Sequence, residues 1–277
     1  TLLETRRGPA LPLPPRLARL YGRLRMPGSH TQPCVFSNFV TSLDGVVSLS
    51  EKGHASGGDI SGSNAQDRMV MGLLRAIADV VVIGPGTLCA DRRHIWTAED
   101  IYPALADDYR RLREALGKSG PPLNVVVSGS GNVDLRLPVL ASGKVRALIV
   151  TTTAGAARLR KQNMPGSVEI RAVRQRAKAI PASAILEVVR EAAPGKRILV
   201  EGGPRLLGDF YAERLLDEQF LTLAPQVAGR GDGNDDRRLG LVMGKLFAPR
   251  DARWGALADL RRGGSLLFLR YRFAKTP

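Results

Sequence analysis

The sequence predicts an α/β fold: a mostly parallel central sheet, helices on both faces and an antiparallel hairpin at the C-terminal end. Three observations carry that reading. Short runs such as Val80-Val81-Val82-Ile83 and Ile198-Leu199-Val200 are uniformly apolar, as strands buried on both faces must be. Segments with helical periodicity alternate with them. Two of the runs lead at once into glycine turns, Gly84-Pro85-Gly86-Thr87 and Gly202-Gly203-Pro204, with a helix predicted behind Pro204.

Taken in order, residues 1–32 are rich in Arg and Pro and are expected to form an N-terminal extension with one short amphipathic helix, Pro15 to Leu24. A domain is expected over 33–277. Val35 to Val40 opens as a strand, and Ser42-Leu43-Asp44-Gly45 breaks it, either to line a site or as an Asp-Gly hairpin turn. Residues 51–64 read as a Gly- and Ser-rich loop, with His54 on the surface and nothing spaced to pair with it. Met69, Val70, Leu73, Leu74 and Ile77 predict a helix over Ala65 to Ala78, capped by Ser63 or Asn64. Asp67 falls where a carboxylate favours a helix N-terminus, and capping is its simplest role. Arg75 lies about 80° around the helix from Asp67, so the two need not share a face.

A polar helix over 103–116 ends at Gly117. Strands follow at Leu123 to Val127 and Val145 to Val150, running into Ser128-Gly129-Ser130-Gly131 and Thr151-Thr152-Thr153. Such hydroxyls suit phosphate or ribose contacts and also serve as helix caps. Val168 to Val173 is a strand, Ala182 to Ala193 a helix closed by Pro194-Gly195, and Glu218 to Val227 a strand. A polar loop covers 228–240. Arg253 to Leu260 and Ser265 to Phe273 flank Arg261-Arg262-Gly263-Gly264 as a hairpin.

Composition narrows the function. The 277 residues are 44% hydrophobic and 24% charged, which is globular. No apolar run approaches the roughly 20 residues of a membrane helix, and the Pro-broken N-terminus is no signal peptide, so a cytoplasmic protein is expected. Cys34 and Cys89 are too few for a disulfide framework or a Cys-rich zinc site, and no metal is expected. The formal net charge of +15 raises nucleic-acid binding, but aromatics are only 5% and the arginines are scattered. A basic surface equally favours encounter with polyanionic small molecules. Gly202-Gly203 would let a ligand lie against the backbone, and the helix start behind them suits a phosphate. The pattern is neither GxGxxG nor a P-loop.

Four stretches, in order and at matching spacing, resemble the reductase domain of riboflavin biosynthesis. They are Asn38-Phe39-Val40-Thr41-Ser42-Leu43-Asp44-Gly45, Leu74-Arg75-Ala76-Ile77-Ala78-Asp79, Val82-Ile83-Gly84-Pro85-Gly86-Thr87 with Asp91, and Val200-Glu201-Gly202-Gly203-Pro204. The resemblance covers about residues 33 to 273 and implies a dihydrofolate-reductase-like fold, NADPH as hydride donor and a phosphorylated ribosylamino-pyrimidine as substrate. It also implies a homodimer. By position, Gly202, Gly203, Leu206 and Leu207 would attend the NADPH pyrophosphate, and Gly84 and Thr87 would form a second cofactor turn. Asp91 would lie near cofactor and substrate, and Ser130, or Ser128, would meet the adenosine 2′-phosphate. Arg75 would pair with the substrate phosphate. Glu201 would contact substrate as a catalytic acid, with Ser61 among the substrate contacts. Thr41, Ser42 and Asp44 would border nicotinamide and pyrimidine, Asp44 as a catalytic group.

Two positions depart from the family pattern. Val46 stands where many members have Lys or Arg, and Asp59 where many have Trp, both near the expected substrate site. The deaminase signature, His-x-Glu with Pro-Cys-x-x-Cys, does not occur, so a stand-alone reductase is expected. Two other readings compete: a dihydrofolate or pteridine reductase using Asp67 over the pterin ring, and a basic NADP- or nucleic-acid-binding protein without turnover.

Overall fold

Strands form where the apolar runs predict them: β1 (Cys34–Thr41), β2 (Val46–Ser48), β3 (Val80–Ile83), β4 (Leu123–Val127), β5 (Ala147–Thr152), β6 (Val168–Val173), β7 (Arg197–Val200), β8 (Glu218–Leu223), β9 (Leu239–Gly240), β10 (Gly255–Gly263) and β11 (Leu266–Phe273). The computed structural model describes residues 1–27, 33–174, 179–193, 195, 197–231 and 238–274. Nine strands make one sheet, in the order β10-β11-β8-β1-β7-β3-β4-β5-β6. Neighbours from β8 to β6 pair in parallel, and β11 and β10 add the antiparallel edge. β2 and β9 form a separate small ribbon.

The helices are α1 (Pro15–Tyr21), α2 (Gly57–Ser61), α3 (Ala65–Ile77), α4 (Pro85–Ala90), α5 (Ala98–Ile101), α6 (Ala106–Ala115), α7 (Pro138–Ala141), α8 (Thr153–Leu159), α9 (Ala182–Ala192) and α10 (Pro204–Ala212). Alternate strand residues feed two cores, as the period of two requires. Val81, Ile83, Val126 and Leu199 pack with α1, α3 and α6 on one face. Val80, Val82, Val125 and Val200 pack with α9 and α10 on the other.

Register sets up the site. Ser37 and Val82 both pair with Val200, so β3 and β7 end together at one edge of the sheet, and β1 runs on beside them to Thr41. Ligands bind outside that carboxyl edge in open α/β sheets.

Several expectations shift. The loop over 51–64 contains α2, because Ser56 and Asp59 form a reciprocal capping box there. His54 is not partnerless: its Nδ1 lies 3.0 Å from Asp59 Oδ1. Residues 103–116 divide into a 3-10 turn at Pro103–Leu105 and α6. β5 begins two residues later than Val145, and β8 stops at Leu223 rather than Val227. Arg261 and Arg262 belong to β10 rather than to the turn. Pro194 and residues 232–237 of the 228–240 loop lie outside the described residues.

The Arg/Pro-rich N-terminal segment packs onto the domain. Leu17, Leu24 and Met26 are wholly buried in the first core. Leu3 pairs with Leu260. The Arg261 guanidinium donates to the Tyr21 and Arg23 carbonyls and to Thr1 Oγ1. Beneath it, buried Arg270 joins Glu218 and Asp259 and reaches Met26 Sδ at 3.4 Å. Among the described residues no helix is long and apolar enough to cross a membrane.

Candidate active site

A cavity of about 380 Å³ opens at the carboxyl edge. Its walls come from the ends of β1 and β7, the β2 ribbon, α2, α3 and the two glycine turns. That volume is in the range of small-molecule sites.

The glycine turns touch each other. A Cβ on Gly202 would fall 2.1 Å from Gly84 N and 2.3 Å from Ile83 Cα, so only glycine permits this approach. Gly203 N–H donates to Thr87 Oγ1 at 2.8 Å. Gly203 holds a left-handed φ of +46° and is the residue before α10. No side chain caps α10, and its first turn carries no acid. Arg205 stands there instead, where the helix dipole disfavours a cation. A Cβ on Gly86 would meet open space. Free N–H groups, a nearby cation and open backbone fit a diphosphate.

Behind the turns lies a chain of charge. Arg75 is 1% exposed. Its Nε and one terminal nitrogen each lie 2.8 Å from Glu201 Oε2. Its other terminal nitrogen donates to His94 Nε2 at 2.5 Å and to the Thr97 carbonyl. His94 Nδ1 lies 2.9 Å from Asp100 Oδ2. Since Arg75 can only donate, Nε2 accepts and Nδ1 carries the proton toward Asp100. Burial, then the charge of Arg75, lowers the His94 pKa, so the ring stays neutral. Trp96 packs edge-on at 5.0 Å and shields it.

α3 presents a stripe to the cavity: Asp67, Arg68, Met71 and Arg75. Asp67 and Arg75, about 80° apart around the helix, therefore both reach the site. Asp67 is not the cap; Asn64 caps α3 by accepting from the Gln66 and Asp67 N–H groups.

Of the expected site residues, Ser61, Arg75, Thr87, Asp91, Glu201 and Gly203 line the cavity. Gly84 and Gly202 stand just behind it as each other's packing surface. Leu206 and Leu207 are buried in the second core and anchor α10. Ser130 is exposed and accepts from Asn132 N–H, while neighbouring Ser128 is buried with its hydroxyl unpartnered.

Thr41, Ser42 and Asp44 do not line the cavity; they build a turn. Ser42 Oγ donates to Asp44 Oδ1 at 2.5 Å and accepts from Val46 N–H. The Asp44 carboxylate also takes the N–H groups of Ala228 and Gly229. The Ser42 bond and those amides hold its pKa down to about 2. A carboxylate so occupied is a poor proton carrier, and it stands outside the cavity. The family departures are structural for the same reason. Asp59 is spent on Ser56 and His54, and Val46 is fully buried. Neither borders the cavity. His94, Asn38, Arg68 and Trp96 were not anticipated as site residues. The one available signal was His94 and Trp96 together, after a glycine turn.

The fold and site define an open α/β protein with a ligand cavity built around two apposed glycine turns. The chain belongs to the RibD C-terminal domain family, whose model matches residues 33–237. It is 28% identical, over 73% of its length and 84% of the relative's, to a 2,5-diamino-6-ribosylamino-4(3H)-pyrimidinone 5′-phosphate reductase of Archaeoglobus fulgidus. Among solved structures it is similar to a pyrimidine reductase-like protein of Corynebacterium diphtheriae (TM-score 0.70, 21% identity, 94% of this chain and 99% of that one). It is also similar to a Thermotoga maritima diaminohydroxyphosphoribosylaminopyrimidine deaminase/5-amino-6-(5-phosphoribosylamino)uracil reductase (TM-score 0.65, 17% identity, 88% and 57%). The fold is thus the dihydrofolate-reductase-like fold of RibD reductase domains.

Proposed function

We propose that the chain is an NADPH-dependent reductase of a phosphorylated ribosylamino-pyrimidine in riboflavin biosynthesis. The substrate is 5-amino-6-(5-phosphoribosylamino)uracil or its diamino-pyrimidinone precursor. One observation carries the reading: the apposed glycine turns, suited to a dinucleotide, share a cavity with the Glu201–Arg75 pair. Family membership and the Archaeoglobus relative support it.

When bound, NADPH supplies the hydride that reduces the opened ribose C1. The residues then divide the work. Gly203, the start of α10 and Thr87 hold the diphosphate. Arg205 adds positive charge beside it. Asp91 and Ser61 stand at the cavity wall, within reach of cofactor and substrate respectively. Glu201 accepts hydrogen bonds from the substrate, and Arg75 fixes its orientation. Because the Arg75 fork is taken by Glu201 and His94, Arg68 is the cation assigned to the substrate phosphate. Asp44 holds the 228–229 loop in place.

The test is NADPH consumption with the uracil compound, the diamino-pyrimidinone compound and dihydrofolate. Oxidation with either ribosylamino compound supports the reading. Oxidation with dihydrofolate alone supports the second reading, a pteridine-type reductase, which Asp67 favours as a buried cavity acid that makes no ion pair among the described residues. We further propose a cytoplasmic homodimer that covers Trp254 and Leu257, exposed at the C-terminal hairpin; sedimentation reads that state.

A further inference from the structure

The cavity contains two acids in different circumstances. Glu201 is the anion of a buried ion pair, gripped twice by Arg75. Protonating it would leave a guanidinium buried without its counter-charge. Asp67 is 4% exposed, lines the same cavity and makes no ion pair among the described residues. The hydroxyl-bearing residues Thr222, from β8, and Ser61, from α2, stand beside its carboxyl. A lone carboxylate so placed is costly, and keeping its proton removes the cost.

The reaction proposed above needs such a group. A closed ribosylamine has no double bond to reduce. Its ring must open, and the ring oxygen is a poor leaving group until it is protonated. We propose that Asp67 is the acid that opens the sugar, giving its proton to the ribose ring oxygen of the bound substrate. This rests on the reductase reading.

The step balances. The bond from C1 to the ring oxygen breaks, and its electron pair goes to oxygen, which takes the Asp67 proton and becomes the C4 hydroxyl. The lone pair of the amine nitrogen forms a C1=N bond, giving an iminium. C1 then accepts the hydride, and the C=N electrons return to nitrogen as a neutral secondary amine. Asp67, anionic while the iminium exists, stabilises it and afterwards regains a proton from water. One NADPH and one proton are consumed per turnover.

Burial pushes the Asp67 carboxyl above the usual carboxylate range, the Thr222 and Ser61 hydroxyls oppose this, and the Glu201 charge adds to it. Arg68, on its own helix, is the cation that acts on it. The opening rate should therefore fall as pH rises through that pKa.

The test separates opening from reduction. Ring opening interconverts the α and β anomers of the ribosylamine, which NMR exchange follows without NADPH. The wild type should accelerate this exchange, and Asp67→Asn should be slower by about 100-fold or more. The analogue lacking the C4 hydroxyl cannot close a furanose, so Asp67→Asn should reduce it within a few-fold of wild type. Exchange at the wild-type rate in Asp67→Asn overturns the proposal, as does an equal defect on the analogue. If Asp67→Asn fails to fold, the wild type alone decides. Its alkaline loss of rate should appear with the natural substrate and vanish with the analogue; a loss common to both overturns the assignment. A wild type that neither exchanges nor reduces the natural compounds overturns the reductase reading and this one with it. A wild type that reduces them while Asp67→Asn matches it overturns only the role of Asp67.

Discussion

Thr87 Oγ1 accepts a hydrogen bond from Gly203 N–H, tying the turn after β3 to the turn after β7, 116 positions apart in sequence. The two turns are thus one structure, and the geometry of each depends on the other. Thr87→Val keeps the shape and removes the acceptor. A part-buried N–H left unpaired costs on the order of 1–3 kcal/mol. NADPH affinity should fall about tenfold, which corresponds to about 1.4 kcal/mol, with thermal stability falling slightly; titration of NADPH fluorescence reads it.

Gly202→Ala tests the same contact sterically. Its Cβ would meet backbone atoms of Ile83 and Gly84, which cannot rotate away. Overpacking of this kind costs about 1–3 kcal/mol. A lowered melting temperature with weakened NADPH binding is expected, and unchanged values for both would contradict the apposition.

Arg75→Met leaves Glu201 buried without its partner, and Glu201→Gln does the same to Arg75. Each should lose about 3–5 kcal/mol by denaturant unfolding. The double variant should recover part of that loss, because no charge is then stranded. Additive losses would show that the pair does not act as a unit.

His94 makes stability pH-dependent with a defined sign. Its folded pKa lies below the ordinary value of 6.5. The contribution is therefore complete above about 6.5 and is lost as pH falls through the folded value, where the unfolded chain binds the proton first. Protonation also sets a cation against Arg75. Melting temperature should decline from neutral toward pH 5 in the wild type and decline less in His94→Gln.

Removing residues 1–28 takes Leu17, Leu24 and Met26 out of the first core and strips partners from Arg261 and Arg270. The shortened chain should aggregate or melt at least several degrees lower. A shortened chain as stable as the whole would show the segment to be an appendage.

What the sequence revealed follows from which forces are local. Val80–Ile83 and Leu123–Val127 were legible to the residue, because a buried strand between turns admits few compositions. Both glycine turns were legible as turns, but not their contact, which depends on register between β3 and β7. Arg75 and Glu201 were each found through family motifs, while their pairing spans 126 positions and leaves no local trace. His94 sits beside Arg92 and Arg93 with no local mark of a role; only the fold turns it inward against Trp96. Asp44 and Asp59 were misleading for the opposite reason. Their partners are near in sequence or in an adjacent loop, and turn-building consumed the charge that chemistry would have used. Asp67 was legible as a helix-start carboxylate and as the acid of a pteridine-type reading, but not its place beside Arg75, because residues well around the circumference of α3 reach one cavity.

The clasp between the first residues and β10 bears on how the molecule comes into being. Arg261 holds Thr1 across 260 positions, and Leu3 finds its partner only in Leu260. On a ribosome, this stretch, made well before β10, therefore waits, its apolar side chains uncovered, until β10 emerges. Contacts of such long range form slowly, and the interval before they close is when a chain is most exposed to aggregation. The glycine turns can assemble well before that moment. Chaperone dependence during synthesis should accordingly track the N-terminal segment more closely than the cavity.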